Sequence, residues 1–190
     1  GHLGCFSFSV PKVITTGQGG AVVTDDEALF ERLRLAKDFG RRSGGNDIHD
    51  FMGFNFKFTD LQAVVGLEQM KKLPDRIARK KEMYRRYRHG LGGLGAVQWI
   101  ETDLERVSPW FMDIYVAERD ALMAHLNECG IGSRPIYPPI HAQKAYGLAH
   151  LSFPVAEDFA APGLWLPSSV QLTDSQIGRV TDAIRAFFGA

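Results

Sequence analysis

Apolar and polar positions alternate over CFSFSV at residues 5–10. Phe6, Phe8 and Val10 fall on one face, Cys5, Ser7 and Ser9 on the other, which is the two-residue period of a strand. Pro11 lacks the N–H that a ladder needs, so the strand is expected to stop there. That leaves Lys12 just past its C-terminal end, where open α/β sheets form ligand crevices. The Gly-rich turn TTGQGG leads into GAVVT, a short β-branched strand. Asp25 and Asp26 are N-cap candidates for a helix over DEALFERLRLAKDF, and Gly40 is its stop. Residues 41–53, RRSGGNDIHDFMG, are polar and Gly-rich and read as a mobile loop. Thr59 and Gln62 have capping-box spacing at the head of TDLQAVVGLEQMKKL. The first turns of that helix are apolar enough to predict burial or a subunit interface, and Pro74 ends it.

A very basic helix, DRIARKKEMYRRYRHGL, comes next. Ile77, Tyr84, Tyr87 and Leu91 share one face, and seven Lys and Arg residues between Arg76 and Arg88 occupy much of the rest. From about residue 95 the pattern changes. GAVQWI and WFMDIYVA read as strands, ERDALMAHLNECG as a helix stopped by Gly130, and GSRPIYPPIH as a rigid extended segment. Thr173 and Gln176 repeat the capping-box spacing before a last helix striped by Ile177, Val180, Ile184 and Phe187. The expected fold class is α/β. Residues 1–73 read as the end of an α/β domain and residues 74–190 as a small α+β domain.

Composition narrows the function classes. The 190 residues are 45% apolar and 23% charged, with acids and bases equal in number, so no global field draws the chain to nucleic acid or an acidic membrane. The basic helix is then read as a solvated face whose long stems cover core edges, ahead of a nucleic-acid helix. Cys5 and Cys129 are far apart and outside any CxxC pair, which suits free thiols in a reducing compartment. No apolar run has membrane-spanning length, and no basic-then-apolar leader opens the sequence. A cytoplasmic protein with no membrane partner is expected.

Lys12 carries the candidate chemistry. Val10, Val13 and Ile14 flank it with apolar, β-branched side chains and Pro11 fixes its approach. A lysine desolvated in this way favours the free amine, a nucleophile suited to condensing with a carbonyl, and pyridoxal phosphate is the commonest carbonyl cofactor. The Ser7 hydroxyl is able to donate to a phosphate oxygen in the same crevice. GQGG is not a nucleotide loop, because it has neither a GK[ST] ending nor a GxGxxG that opens a helix. His49 and Asp50 lack a suitably spaced third metal ligand. Read from the residues alone, Asn55 is a turn residue ahead of the Thr59 cap, Lys57 is solvated, and His141 is a loop histidine.

FSFSVPKVITTGQGG resembles the lysine segment of the sugar-nucleotide aminotransferases of the DegT/StrS family, fold-type I pyridoxal phosphate enzymes. GFNFKFTDLQAVVGLEQMKKL, RPIYPPIHAQKAY and LPSSVQLTDSQIGRV resemble three later family motifs, in the family's order. The resemblance implies the end of a fold-type I large domain followed by a small α+β C-terminal domain, and a chain that corresponds to the family's C-terminal half. It implies that Lys12 holds pyridoxal phosphate, that Ser7 binds its phosphate, and that Asn55 reaches the cofactor phosphate of a neighbouring subunit, which makes a homodimer with a shared site. Lys57 then meets the nucleotide's phosphates, and Tyr137 and His141 line the sugar pocket. The implied reaction is transamination of a nucleotide-linked keto-deoxysugar with glutamate as amino donor, in amino-sugar biosynthesis. Gln18 stands where the family usually carries Glu, and Lys57 where Arg is commoner. Two rivals are a non-catalytic, partner-binding relative and a sugar dehydratase of the same family. Lys12 argues against the dehydratase, whose lysine is replaced by histidine.

Overall fold

The structure, a computed structural model, describes residues 1–43, 45 and 47–190. The chain divides into two compact units, Gly1–Asp75 and Arg76–Ala190.

In the first unit, strand β1 (Gly4–Ser7) pairs antiparallel with β2 (Gly20–Val23), with Ser7 opposite Gly20. The strand is shorter than its alternation suggests. Phe8 leaves the ladder to donate to the Gly19 carbonyl at 2.8 Å, and the chain turns at Ser9. Helix α1 (Glu27–Lys37) opens on Asp26, whose carboxylate accepts from the Leu29 N–H at 3.1 Å. Its last carbonyls would be orphaned without outside donors. The Phe54 N–H reaches the Ala36 carbonyl at 2.7 Å and the Phe56 N–H reaches that of Lys37 at 2.9 Å. Gly40 makes this crossing feasible. Its φ is +74°, and a Cβ there would lie 1.9 Å from the Phe51 carbonyl oxygen. The polar stretch after it is tied down at several points, by Arg42 to Asp50 at 2.6 Å and by the His49 ring to the Phe39 carbonyl at 2.7 Å. Gly44 and Asn46 of that stretch lie outside the described residues.

Helix α2 (Asp60–Lys71) carries the predicted capping box, with both reciprocal bonds formed between Thr59 and Gln62. None of its side chains is buried, and Leu61 is 82% exposed. Among the described hydrophobic residues of this unit, Leu35 alone is buried.

Helix α3 (Leu73–Gly90) starts with Pro74 in its first turn, where a missing N–H costs nothing. In the second unit its Met83, Tyr84 and Tyr87 enter a core shared with helix α4 (Arg119–Glu128) and helix α6 (Asp174–Phe187). Strands β3 (Met112–Tyr115), β4 (Arg134–Pro135) and β5 (Gly163–Leu166) form an antiparallel sheet in the order β3-β5-β4. Met112, Ile114, Leu164 and Leu166 face the helices. The striped final helix packs as read, with Ile177, Val180 and Ile184 buried and Phe187 against the core. GAVQWI contributes only an isolated bridge between Gln98 and Tyr115. Helix α5 (Pro154–Ala160) and the central strand β5 had no counterpart in the sequence reading.

The basic face of α3 is largely committed within its own unit. Arg79 and Arg86 both meet Asp174 at 2.8 Å, and Arg88 pairs with Glu101 at 3.0 Å while lying over the Trp99 ring. Lys80 departs from the solvated face altogether. It is buried, and its ammonium donates to the Trp110 carbonyl at 2.7 Å and the Ser168 carbonyl at 2.5 Å. No helix among the described residues is long and apolar enough to cross a membrane.

Candidate active site

Lys12 sits half-buried on a loop that leaves the first sheet at Phe8 and returns at Thr16. Three bonds close the neck of that loop. Phe8 donates to Gly19, the Thr16 N–H donates to the Phe8 carbonyl at 3.0 Å, and the Thr15 hydroxyl donates to the same carbonyl at 3.0 Å. Inside the loop the Lys12 N–H donates to the Ser9 carbonyl at 3.1 Å, and the Ser9 and Ser7 hydroxyls lie 3.0 Å apart. Ser7 and Lys12 are thus held on one short structure through Ser9. The alternation put Ser9 beside Ser7 on one face, but it gave no reason to single Ser9 out.

The TTGQGG turn is braced against the start of α2. The Gln18 carbonyl accepts from the Thr16 hydroxyl at 2.7 Å and from the Gln62 amide at 2.9 Å. Gly19 has φ +125°, and a Cβ there would come within 2.5 Å of the Phe58 ring. Gly19 therefore serves a close approach of the turn to Phe58, which also meets the Phe8 ring edge-on at 6.4 Å.

Asn55 and Lys57 lie on the segment that crosses the end of α1. Asn55 is exposed and bridges to Asp38 through the backbone. Lys57 places its ammonium 3.1 Å from an Asp38 oxygen and 3.9 Å above the Phe39 ring. Arg41 meets the same oxygen at 2.9 Å. Arg41 first, and Lys57 with it, hold the Asp38 carboxyl below the usual carboxylate range. Asp38 and Arg41 were not singled out in the sequence. Their spacing of three on a helix end was the available signal.

Tyr137 and His141 belong to the second unit and line one cavity of about 520 Å³, together with Tyr115, Ile136, Phe153 and Phe159. The Tyr137 ring stands edge-on to Trp165 at 4.6 Å, and the Arg134 guanidinium lies over both rings. His141 is only 10% exposed, and its Nε2 is 3.0 Å from a Glu157 oxygen. On the same sheet face Asp113 accepts from the Trp165 side chain, and burial pushes its carboxyl up. Glu157, Arg134 and Trp165 escaped the sequence reading. Arg134 stood inside the quoted RPIYPPIH stretch, whereas Glu157 and Trp165 lie on elements that were not foreseen.

A family model described as the DegT/DnrJ/EryC1/StrS aminotransferase family matches residues 1–185. The GDP-perosamine synthase of Escherichia coli O157:H7 is 32% identical over 191 residues, 99% of this chain and 52% of that protein. The dTDP-3-amino-3,4,6-trideoxy-alpha-D-glucose transaminase of Streptomyces venezuelae is 34% identical over 189 residues, 97% of this chain and 47% of that protein. Among solved structures, S. venezuelae DesV in complex with a ketimine intermediate superposes with a TM-score of 0.88 at 32% identity, covering 98% of this chain and 52% of that one. The chain spans about half the length of the curated relatives it matches.

Proposed function

From the premise that the chain belongs to the DegT/DnrJ/EryC1/StrS aminotransferase family, we propose that this protein is a pyridoxal-phosphate-dependent aminotransferase. It moves an amino group from an amino acid, glutamate, to a nucleotide-linked keto-deoxysugar for amino-sugar biosynthesis. The observation that carries the reading is the clamped loop that joins Ser7, Ser9 and Lys12. The donor set fits the cofactor. A half-buried lysine shares one clamped loop with two hydroxyls 3.0 Å apart, a set of groups that suits an aldehyde carrying a phosphate.

In this reading Lys12 Nζ would hold the cofactor and, as the free base, would take and return the proton that the transamination moves. Bound pyridoxal phosphate supplies the electron sink. Ser7 donates its hydroxyl to the phosphate. Lys57 offers a point charge to the nucleotide's phosphates, having first to exchange some of its contact with Asp38. Tyr137 and His141 line the sugar cavity. Residues 1–73 act as the end of a fold-type I large domain and residues 74–190 as the small α+β domain. Asn55 serves the cofactor phosphate of a second subunit in a homodimer. The exposed Leu61, Val64, Leu67 and Met70 of α2 support such an interface, since bare apolar surface of this kind marks contact sites. A cytoplasmic location suits the two free cysteines.

Borohydride reduction after incubation with pyridoxal phosphate tests the proposal. Peptide mapping is expected to find the phosphopyridoxyl group on Lys12, and the Lys12→Ala chain to lose it. Label spread evenly over surface lysines, unchanged in Lys12→Ala, would overturn the reading in favour of a non-catalytic relative.

A further inference from the structure

The imidazole of His141 is restrained from several sides. The residue sits in a single 3-10 turn, Ile140–Ala142, entered through Pro138 and Pro139. Its ring centroid lies 5.0 Å from that of Phe153. Its Nε2 faces Glu157 Oε1 at 3.0 Å. Glu157 is itself fixed, because the Phe153 backbone N–H donates to the same Oε1 at 2.8 Å. That backbone donor is the chief cause holding the Glu157 carboxyl below its ordinary range, with His141 and Ser152 adding to it. An ionised carboxylate only accepts.

We propose that Glu157 is a positioning residue that sets the polarity of His141 toward the sugar cavity. This rests on the aminotransferase reading above, which makes that cavity the sugar pocket. Facing a pure acceptor at 3.0 Å, Nε2 must carry hydrogen whether the ring holds one proton or two. Nδ1 is then the ring's one remaining polar atom. His141 lines the 520 Å³ cavity and also a neighbouring one of about 570 Å³ that includes Glu157 and Arg119. In the neutral ring Nδ1 is an acceptor. A sugar hydroxyl donates to it, whereas a carbonyl or phosphate oxygen is disfavoured. With the ring neutral, a glutamate at 157 thereby leaves Nδ1 to the hydroxyl-bearing side of the sugar and not to its keto group.

The test uses the whole chain labelled with nitrogen-15 at histidine, with His141→Asn assigning the ring among the six histidines. A low-field Nε2–H signal, protected from exchange, is expected for His141 in the native chain. It should persist in Glu157→Gln, whose amide oxygen still accepts, and vanish into solvent exchange in Glu157→Ala. The signals of the other five rings report whether the fold survives. A protected proton on Nδ1 in the native chain, or a Nε2–H signal equally protected in Glu157→Ala, overturns the assignment. GDP-mannose or dTDP-glucose should then move the Nδ1 resonance, while GDP and dTDP should not. No movement with either sugar overturns the polarity argument. Trapping of pyridoxal phosphate on Lys12 is read separately. Its failure with the His141 signal intact would break the aminotransferase reading and leave the Glu157 contact standing.

Discussion

Lys80 offers a prediction whose sign and size follow from its surroundings. It is 6% exposed, donates to two backbone carbonyls, and burial pulls its ammonium down to about 8 from an ordinary 10.5. Below pH 8 the group is charged in both folded and unfolded chains, and the cost of burying the charge is present in full. As pH rises above 8 the folded chain releases the proton before the unfolded one does, so stability increases. The neutral amine keeps two N–H donors for the two carbonyls, so neither is left unpaired on deprotonation. At about 1.4 kcal/mol per unit, the gain between pH 8 and 9.5 is about 2 kcal/mol. Tyr87 acts in the opposite direction. Its buried hydroxyl, bonded to the Pro167 carbonyl, is raised well above the ordinary value of 10. The unfolded chain alone therefore loses that proton above about pH 10, and stability falls there. The readable window is pH 7.5–9.5. All three tryptophans, Trp99, Trp110 and Trp165, lie in the second unit, so urea unfolding followed by their fluorescence reports this unit. In Lys80→Met the burial cost disappears, but two carbonyls are left unpaired at about 1–3 kcal/mol each. The variant should match the native chain closely near pH 7.5 and fall behind it by about 2 kcal/mol at pH 9.5. Parallel pH curves for the two proteins would refute the reasoning.

Other outcomes are as specific. Leu164→Ala, at a fully buried position on the central strand, should cost about 2–5 kcal/mol in the same urea assay. Thr173→Ala removes one side of a complete capping box and should cost about 1 kcal/mol, with Thr173→Ser restoring most of it. Gly19→Ala forces a Cβ against the Phe58 ring at positive φ. It should reduce phosphopyridoxyl labelling of Lys12 several-fold while leaving the tryptophan-reported unfolding of the second unit unchanged.

The elements with strong local signals were legible. Both capping boxes formed at the spacing read from sequence, and the stripe of Ile177, Val180 and Ile184 faces the core. Strand β5 was not, for a physical reason. GLWL is buried at all four positions at the centre of its sheet, so it shows no alternation, and a four-residue apolar run is ambiguous by periodicity alone. Lys80 was misread because side-chain type argues for solvent while the two waiting carbonyls are brought by residues 30 and 88 positions away. The apolar head of α2 was read as buried or at an interface, and in the chain itself those side chains are exposed.

The candidate site divides along the same line between local and distant information. Lys12, Ser7 and the glycines sit within fourteen residues of one another, so a short motif carries them together, and the loop that joins them is closed by bonds among its own residues. His141 was legible as a position but not as a chemical group. The atom it offers depends on Glu157, sixteen residues on, at the head of a seven-residue helix with little periodicity to announce it. The same holds for Lys57, whose charge is shared with Asp38, nineteen residues earlier. Sequence spacing therefore names the residues proposed to hold a cofactor more readily than it names the partners of those proposed to meet a substrate. His141 and Lys57 are engaged by partners that the fold supplies, and on the proposed function substitutions at Glu157 or Asp38 should alter selectivity before they alter cofactor attachment.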